Sequence, residues 1–104
     1  MLVINRFRVP QESRAAFDAS MAAVIELFET KPGCESMELV HNLDDPELWA
    51  LVGRWQDVGS YRRALHGYES KMIIVPVLSL AIDEASAYDA ASQVGENRPR
   101  GAAP

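Results

Sequence analysis

The sequence predicts an α+β fold of the ferredoxin-like kind, β-α-β-β-α-β, with a four-stranded antiparallel sheet and both helices on one of its faces. Three observations predict it. Hydrophobic periods of two and of 3.6 residues follow one another along the chain in that order. The segments between them carry turn and cap residues where the periods change. The length of 104 residues, 48% of them hydrophobic, supplies one core and leaves no material for a second. The ordered domain is expected over residues 1–91. Residues 92–104, rich in Gly, Asn, Pro and Ala and without a period, are expected to be a disordered tail.

Leu2 to Val9 alternates Val3, Asn5, Phe7 and Val9 against Leu2, Ile4, Arg6 and Arg8, the signature of a half-buried strand. Asn5 is the odd member of the apolar face. A buried amide costs free energy unless its hydrogen bonds are met, so Asn5 either bonds backbone or water, or orients a ligand oxygen. Pro10 suits the first turn of a helix that runs from Gln11 to about Thr30. Phe17, Met21, Val24 and Phe28 recur at intervals of four, three and four along it, and Glu12, Arg14, Asp18, Glu26 and Glu29 fall off that stripe. Such a stripe lines a core; Phe17 and Met21 are also its candidates for contact with a ligand.

Lys31, Pro32 and Gly33 stop the helix. Glu35 to Asn42 then alternates as a strand, with Met37, Leu39 and His41 on one side. The polar run from Asn42 to Pro46 predicts a hairpin turn. His41, beside that turn, is read as a surface residue, with a ligand role as the other option. Glu47 to Trp55 places Trp49, Leu51, Gly53 and Trp55 on one face and Leu48, Ala50, Val52 and Arg54 on the other, as a central strand covered on both sides would. Gly53 between two tryptophans marks a bulge, or room for a ligand or a packed helix.

Asp57 is placed to cap the second helix, in which Tyr61, Ala64, Leu65 and Tyr68 keep helical spacing until Gly67 loosens or ends it. Glu69 to Leu80 is read as helix, because Pro76 argues against a central strand. A last strand is expected within Asp83 to Ala91, anchored by Tyr88. Both sheet faces read as apolar, so the face away from the helices needs a cover. A second copy of the chain supplies it most simply, which predicts a homodimer through the sheet face.

A formal net charge of -5 argues against a nucleic-acid partner, which requires a basic surface. The N-terminal run has no leader pattern, and no apolar stretch is long enough for a membrane span. A cytoplasmic location is expected. The single cysteine, Cys34, can form no internal disulfide, fits a reducing compartment, and without nearby ligands makes no metal site.

The run P-G-C-E-S-M-E-L from Pro32, the D-D-P turn at Asp44 to Pro46, the strand ending in Trp55 and the helix opening Y-R-R-A-L-H together resemble the antibiotic biosynthesis monooxygenase family of dimeric α/β-barrel proteins. The resemblance spans about residues 2–90. It implies oxidation of an aromatic, polyketide-like substrate by dioxygen with no cofactor, in a pocket walled by Trp55 and Tyr61. Two polar positions of that pattern depart, with Leu51 where the quinone-forming enzymes use Asn and Val75 where they use Arg. A haem-degrading branch of the family uses an Asn on the first strand, matched by Asn5, but its helical Trp falls on Ala64 and its iron ligand near Ile74. The expected site is therefore Asn5, Tyr61 and His66 as polar or proton-moving groups, with Trp55, Phe17, Met21, Leu51 and Gly53 contacting substrate. His66 would act as base, its ordinary pKa of about 6.5 suiting that role, unless it lies on the solvent side of its helix. The other reading is a non-enzymatic dimer that binds a small apolar or aromatic molecule.

Overall fold

In a computed structural model, which describes residues 1–95, the alternating segments become strands β1 (Leu2–Arg8), β2 (Cys34–His41), β3 (Leu48–Trp55) and β4 (Ala87–Tyr88). They form one sheet in the order β2-β3-β1-β4, with every neighbouring pair antiparallel. This is the expected ferredoxin-like sheet. β3 is central, as its two apolar faces require. Of the alternatives at Gly53 the bulge does not occur, since the register there is regular; the sheet's irregularity lies on β2, between Cys34 and Ser36. Although β4 itself is short, the chain before it already runs beside β1: Ile82 N donates to Arg6 O at 2.8 Å and Ile4 N to Ser86 O at 2.7 Å. Opposite one another on that edge, Arg6 and Glu84 form a two-pronged ion pair of 2.7 and 2.6 Å.

The first helix, α1 (Arg14–Glu29), is preceded by a single 3-10 turn, Gln11–Ser13, so Pro10 opens a tighter turn than expected. Met21, Val24 and Phe28 of its stripe are buried and Phe17 is half-buried, while its charged residues face water. The hairpin turn is built by Asn42, whose side-chain oxygen accepts from the backbone N–H of Asp44 and of Asp45, both at 2.8 Å. α2 (Val58–Ala64) starts as expected, with Asp57 accepting from Ser60 N at 2.7 Å. That bond comes first among the causes that hold the Asp57 carboxyl below its ordinary range.

α2 ends sooner than the spacing predicts. Gly67 adopts φ +95° and turns the chain out of the helix, so Tyr68 is 79% exposed rather than part of the core. Beyond it, Ser70–Ile74 winds as a π-helix and continues into α3 (Val75–Leu78), with Pro76 in its first turn. Ser70 is fully buried, and its hydroxyl donates to the carbonyl of Ala64 at 2.7 Å, satisfying a group that the end of α2 leaves open. Tyr88 pairs with Leu2 in the sheet but is half-exposed, so it anchors β4 through its backbone more than by burial. Of the expected tail, Ala91–Gln93 forms a 3-10 turn and the residues beyond 95 lie outside the described ones.

The core lies between the sheet and the helices, around Phe7, Met21, Val24, Phe28, Leu51, Trp55 and Ile74. On the opposite face Leu2, Ile4, Val40, Leu48, Ala50 and Val52 are only half-buried. No helix among the described residues is long and apolar enough to cross a membrane.

The two glycines with positive φ test how much of this depends on space. Nothing lies within 4 Å of a Cβ at Gly67, whereas a Cβ at Gly33 would collide with the Ser60 side chain. Gly67→Ala is expected to cost about 1 kcal/mol of unfolding free energy, the backbone term alone. Gly33→Ala should cost at least about twice that, because the start of α2 must also shift; urea unfolding of the two variants checks the difference.

Candidate functional site

β1 and β3 run antiparallel in a register that sets Asn5 opposite Leu51 and Val3 opposite Gly53, and β2 adds Met37 on the other side of Gly53. All of these side-chain positions point to the helix layer. The Asp57 cap fixes where α2 begins, and one turn later Tyr61 comes over Trp55 with ring centroids 5.7 Å apart. From α1, Phe28 meets the same indole edge-on at 5.4 Å. Asn5, Leu51, Gly53, Trp55 and Tyr61 therefore line one interstice, completed by Val3, Phe28 and Met37.

That interstice is closed: it has no space for even a water molecule. The place left open by Gly53 is taken by neighbours, since a Cβ there would lie 2.9 Å from Met37 Sδ and 3.1 Å from Trp55 Nε1. Its walls are hydrocarbon and aromatic except for two groups. Neither the Asn5 amide nor the Tyr61 hydroxyl makes a side-chain hydrogen bond to another of the described residues. Partial burial pushes the Tyr61 phenol above its ordinary value, so a group already protonated at neutral pH stays a hydrogen-bond donor further into the alkaline range.

Three expected site residues lie elsewhere. His66 is exposed beyond the end of α2 and does not line the interstice, since it lies off the stripe that Tyr61 and Ala64 share. Met21 is fully buried core. Phe17 packs against Phe7 at 5.4 Å and Trp49 at 6.2 Å, at the other end of the sheet. Met37 and Val3 were missed as wall residues, although strand alternation and the register around Gly53 point to both. Val75, the family's Arg position, is part-exposed and also absent from the wall.

A second aromatic group surrounds Trp49. His41 stacks on it at 3.7 Å with ring planes 3° apart, and the Arg14 guanidinium lies 4.1 Å from its ring centre. His41 is exposed, and its Nε2 is 2.9 Å from Pro46 O, which makes it a surface residue tied to the hairpin. The indole N–H of Trp49 is buried without a partner among the described residues. Burial first, and then Glu29 and Glu35, push the Cys34 thiol up and keep it protonated. Among the described residues, no group of three or more His, Cys, Asp or Glu side chains is arranged to hold a metal ion.

The family profile described as antibiotic biosynthesis monooxygenase matches residues 1–72. The chain belongs to the antibiotic biosynthesis monooxygenase family. Among solved structures of similar shape, SnoaB from Streptomyces nogalater, a cofactor-independent oxygenase solved as a mutant, superposes with TM-score 0.70 at 22% identity, covering 91% of this chain and 96% of that one. A conserved protein from Methanosarcina mazei Go1 gives 0.68 at 24% identity, over 83% and 84% of the two chains. Rv0793 from Mycobacterium tuberculosis gives 0.65 at 21%, over 86% and 96%. At these identities the likeness establishes the shared fold. No curated protein matches the chain significantly.

The buried phenol of this monooxygenase-family chain gives a pH test. Its folded-state pKa lies above the ordinary 10.0, so its contribution to stability is present below that value and lost as pH rises through the raised one. Tyrosinate absorbance should show a late-titrating step that Tyr61→Phe removes, and the variant should lose less stability than the parent in the alkaline range.

Proposed function

We propose that the protein is a cofactor-independent oxygenase of small aromatic substrates, acting at the interstice of Asn5, Trp55 and Tyr61. The observation that carries this reading is the convergence of two uncommitted polar groups, the Asn5 amide and the protonated Tyr61 hydroxyl, on one otherwise apolar wall. Family membership supports it, and so does the fold shared with a protein described as a cofactor-independent oxygenase. For an anthrone-type substrate the balanced reaction consumes one dioxygen, converts a ring CH2 to C=O and releases one water. A substrate that has lost its acidic proton is itself the reductant of oxygen. The protein's part is to exclude water and to favour the anion: Tyr61 donates to its oxygen, Asn5 orients it, and Trp55 and Phe28 hold the ring plane. Met37, an unbranched thioether beside Gly53, is the wall member most easily displaced to admit a ring.

No carboxylate or imidazole lines this wall, so the proton leaves to solvent before or during entry and His66 has no step to perform. Rates of oxygen uptake are therefore expected to rise with pH along the substrate's own ionisation and to be unchanged in His66→Ala. Tyr61→Phe and Asn5→Ala should each lower them by roughly ten- to a hundredfold. Oxygen uptake over a panel of anthrones and naphthols measures this; no rate above buffer across the panel removes the enzymatic reading.

The closed interstice favours a second reading, a dimeric module that binds a small apolar molecule without turnover. Either reading includes a homodimer through the half-buried sheet face. Ile4→Asp or Val52→Asp, at the centre of that face, is expected to leave a monomer by light scattering. Haem is a poor fit to this chain: Ala64 and Ile74 are buried hydrocarbon at the positions where the haem-degrading branch uses Trp and its ligand, and His66 faces solvent.

A further inference from the structure

At the opposite end of the helix-facing layer from Trp55, the corner where β1 turns into α1 and the end of α3 enclose an open groove of about 340 Å³. None of its lining residues belongs to the interstice of Asn5, Trp55 and Tyr61. Its volume is within the range of small-ligand sites, about 300–1,000 Å³. We infer that this groove is a second binding site, for a neutral planar aromatic molecule of one or two rings that carries a hydroxyl or carbonyl.

The shape follows from one face of the first helix. Ser13, Ala16, Phe17 and Ser20 are spaced three, four and seven residues from the first, so they lie together over the groove. Phe17 stands among the small residues Ser13, Ala16 and Ser20, so its ring forms the bulk of that wall of the groove. Phe7 backs that ring at 5.4 Å, so the aromatic wall is two rings deep. Across the groove stand Val77 and Leu80 from the end of α3 and the turn after it. Leu80 remains 73% exposed, an apolar side chain that folding of the domain leaves unburied.

The polar groups settle the charge of the occupant. Arg8 is the one ionisable side chain on the lining, and it is already paired with Asp45 at 3.0 Å and lies 3.9 Å from Glu47. The groove therefore offers an ionic ligand no unpaired charge. It does offer two hydroxyls: neither Ser13 nor Ser20 makes a side-chain hydrogen bond to another of the described residues. Each can donate to or accept from one oxygen of a neutral ring compound. A peptide helix is too wide for a slot of this volume, and an extended peptide would bring backbone groups that two hydroxyls cannot satisfy.

The probe is 2-naphthol at neutral pH with methyl-labelled full-length protein. Saturable binding is expected below about 1 mM. Intermolecular nuclear Overhauser effects should run from the naphthol ring to the methyls of Val77, Leu80 and Ala16. Ser20→Trp and Ala16→Trp, two substitutions of exposed residues that fill the slot from the solvent side, should each weaken binding at least about tenfold. Thermal melting of both variants checks that they fold. Overhauser effects to Met37 and Leu51 in place of the groove methyls, affinity unchanged in a folded slot-filling variant, or no saturable binding in that range would each overturn the assignment. Oxygen uptake does not enter this experiment, so its outcome is independent of the reaction proposed at the interstice.

Discussion

Trp55, at the end of the central strand, is the contact on which the arrangement of layers depends. It is 1% exposed, and its ring is met from α1 by Phe28 and from α2 by Tyr61. Its backbone is held as well: Trp55 N donates to Met1 O at 2.9 Å, and the N-terminal ammonium donates to Trp55 O at 3.2 Å. The start of the chain, both helices and the central strand thus share one residue. Because Trp55 fixes α2 through Tyr61 while Asp57 fixes where that helix begins, the phenol's position is over-determined. A side chain held that firmly can keep its hydroxyl unspent.

Sequence periodicity revealed the sheet because strand alternation is a local property that burial on one face imposes directly. The Asp57 cap and the Asn42 turn were legible for a similar reason, since each needs only residues within a few positions of itself. What was not legible depends on phase. The helical spacing of Tyr61, Ala64, Leu65 and Tyr68 continues past the point where the helix ends, and the positive φ of Gly67 carries Tyr68 outward. His66, expected as a base for its ordinary pKa, lies off that spacing and is exposed, the solvent-side alternative of its two readings. The π-helix that follows adds a residue to one turn, so positions counted along an ideal helix arrive on the wrong side. Ser70 is fully buried, and its hydroxyl is satisfied there by the carbonyl of Ala64 at 2.7 Å, a partner that helical spacing does not reveal.

The same phase change alters what the departures from the family pattern mean. Leu51 lies on the wall of the interstice, so hydrocarbon there removes a polar contact from the site itself. Val75 is part-exposed and off the wall, while its neighbour Ile74 is fully buried. Of the two substitutions, one bears directly on the polarity of the interstice and the other does not. Asn5 faces Leu51 across the β1–β3 pair, so an amide stands on the adjacent strand at the same level of the sheet. The wall keeps the phenol of Tyr61 at the pattern's own position and one amide, that of Asn5, on a different strand from the pattern's Asn.

The two faces of the sheet impose different demands on any ligand. On the helix side the core closes around Trp55 and opens at the far corner by Phe17, where small residues of α1 face the end of α3. On the other side Ile4, Ala50 and Val52 form a half-buried apolar band with Arg6 held out of it by Glu84. The band lies on the face away from the interstice, whose strand residues Val3, Asn5, Leu51 and Trp55 point the other way along β1 and β3. Strand alternation thus keeps the two surfaces apart: a charge placed at Ile4 or Val52 alters the band, and a ring placed at Ser20 alters the corner groove.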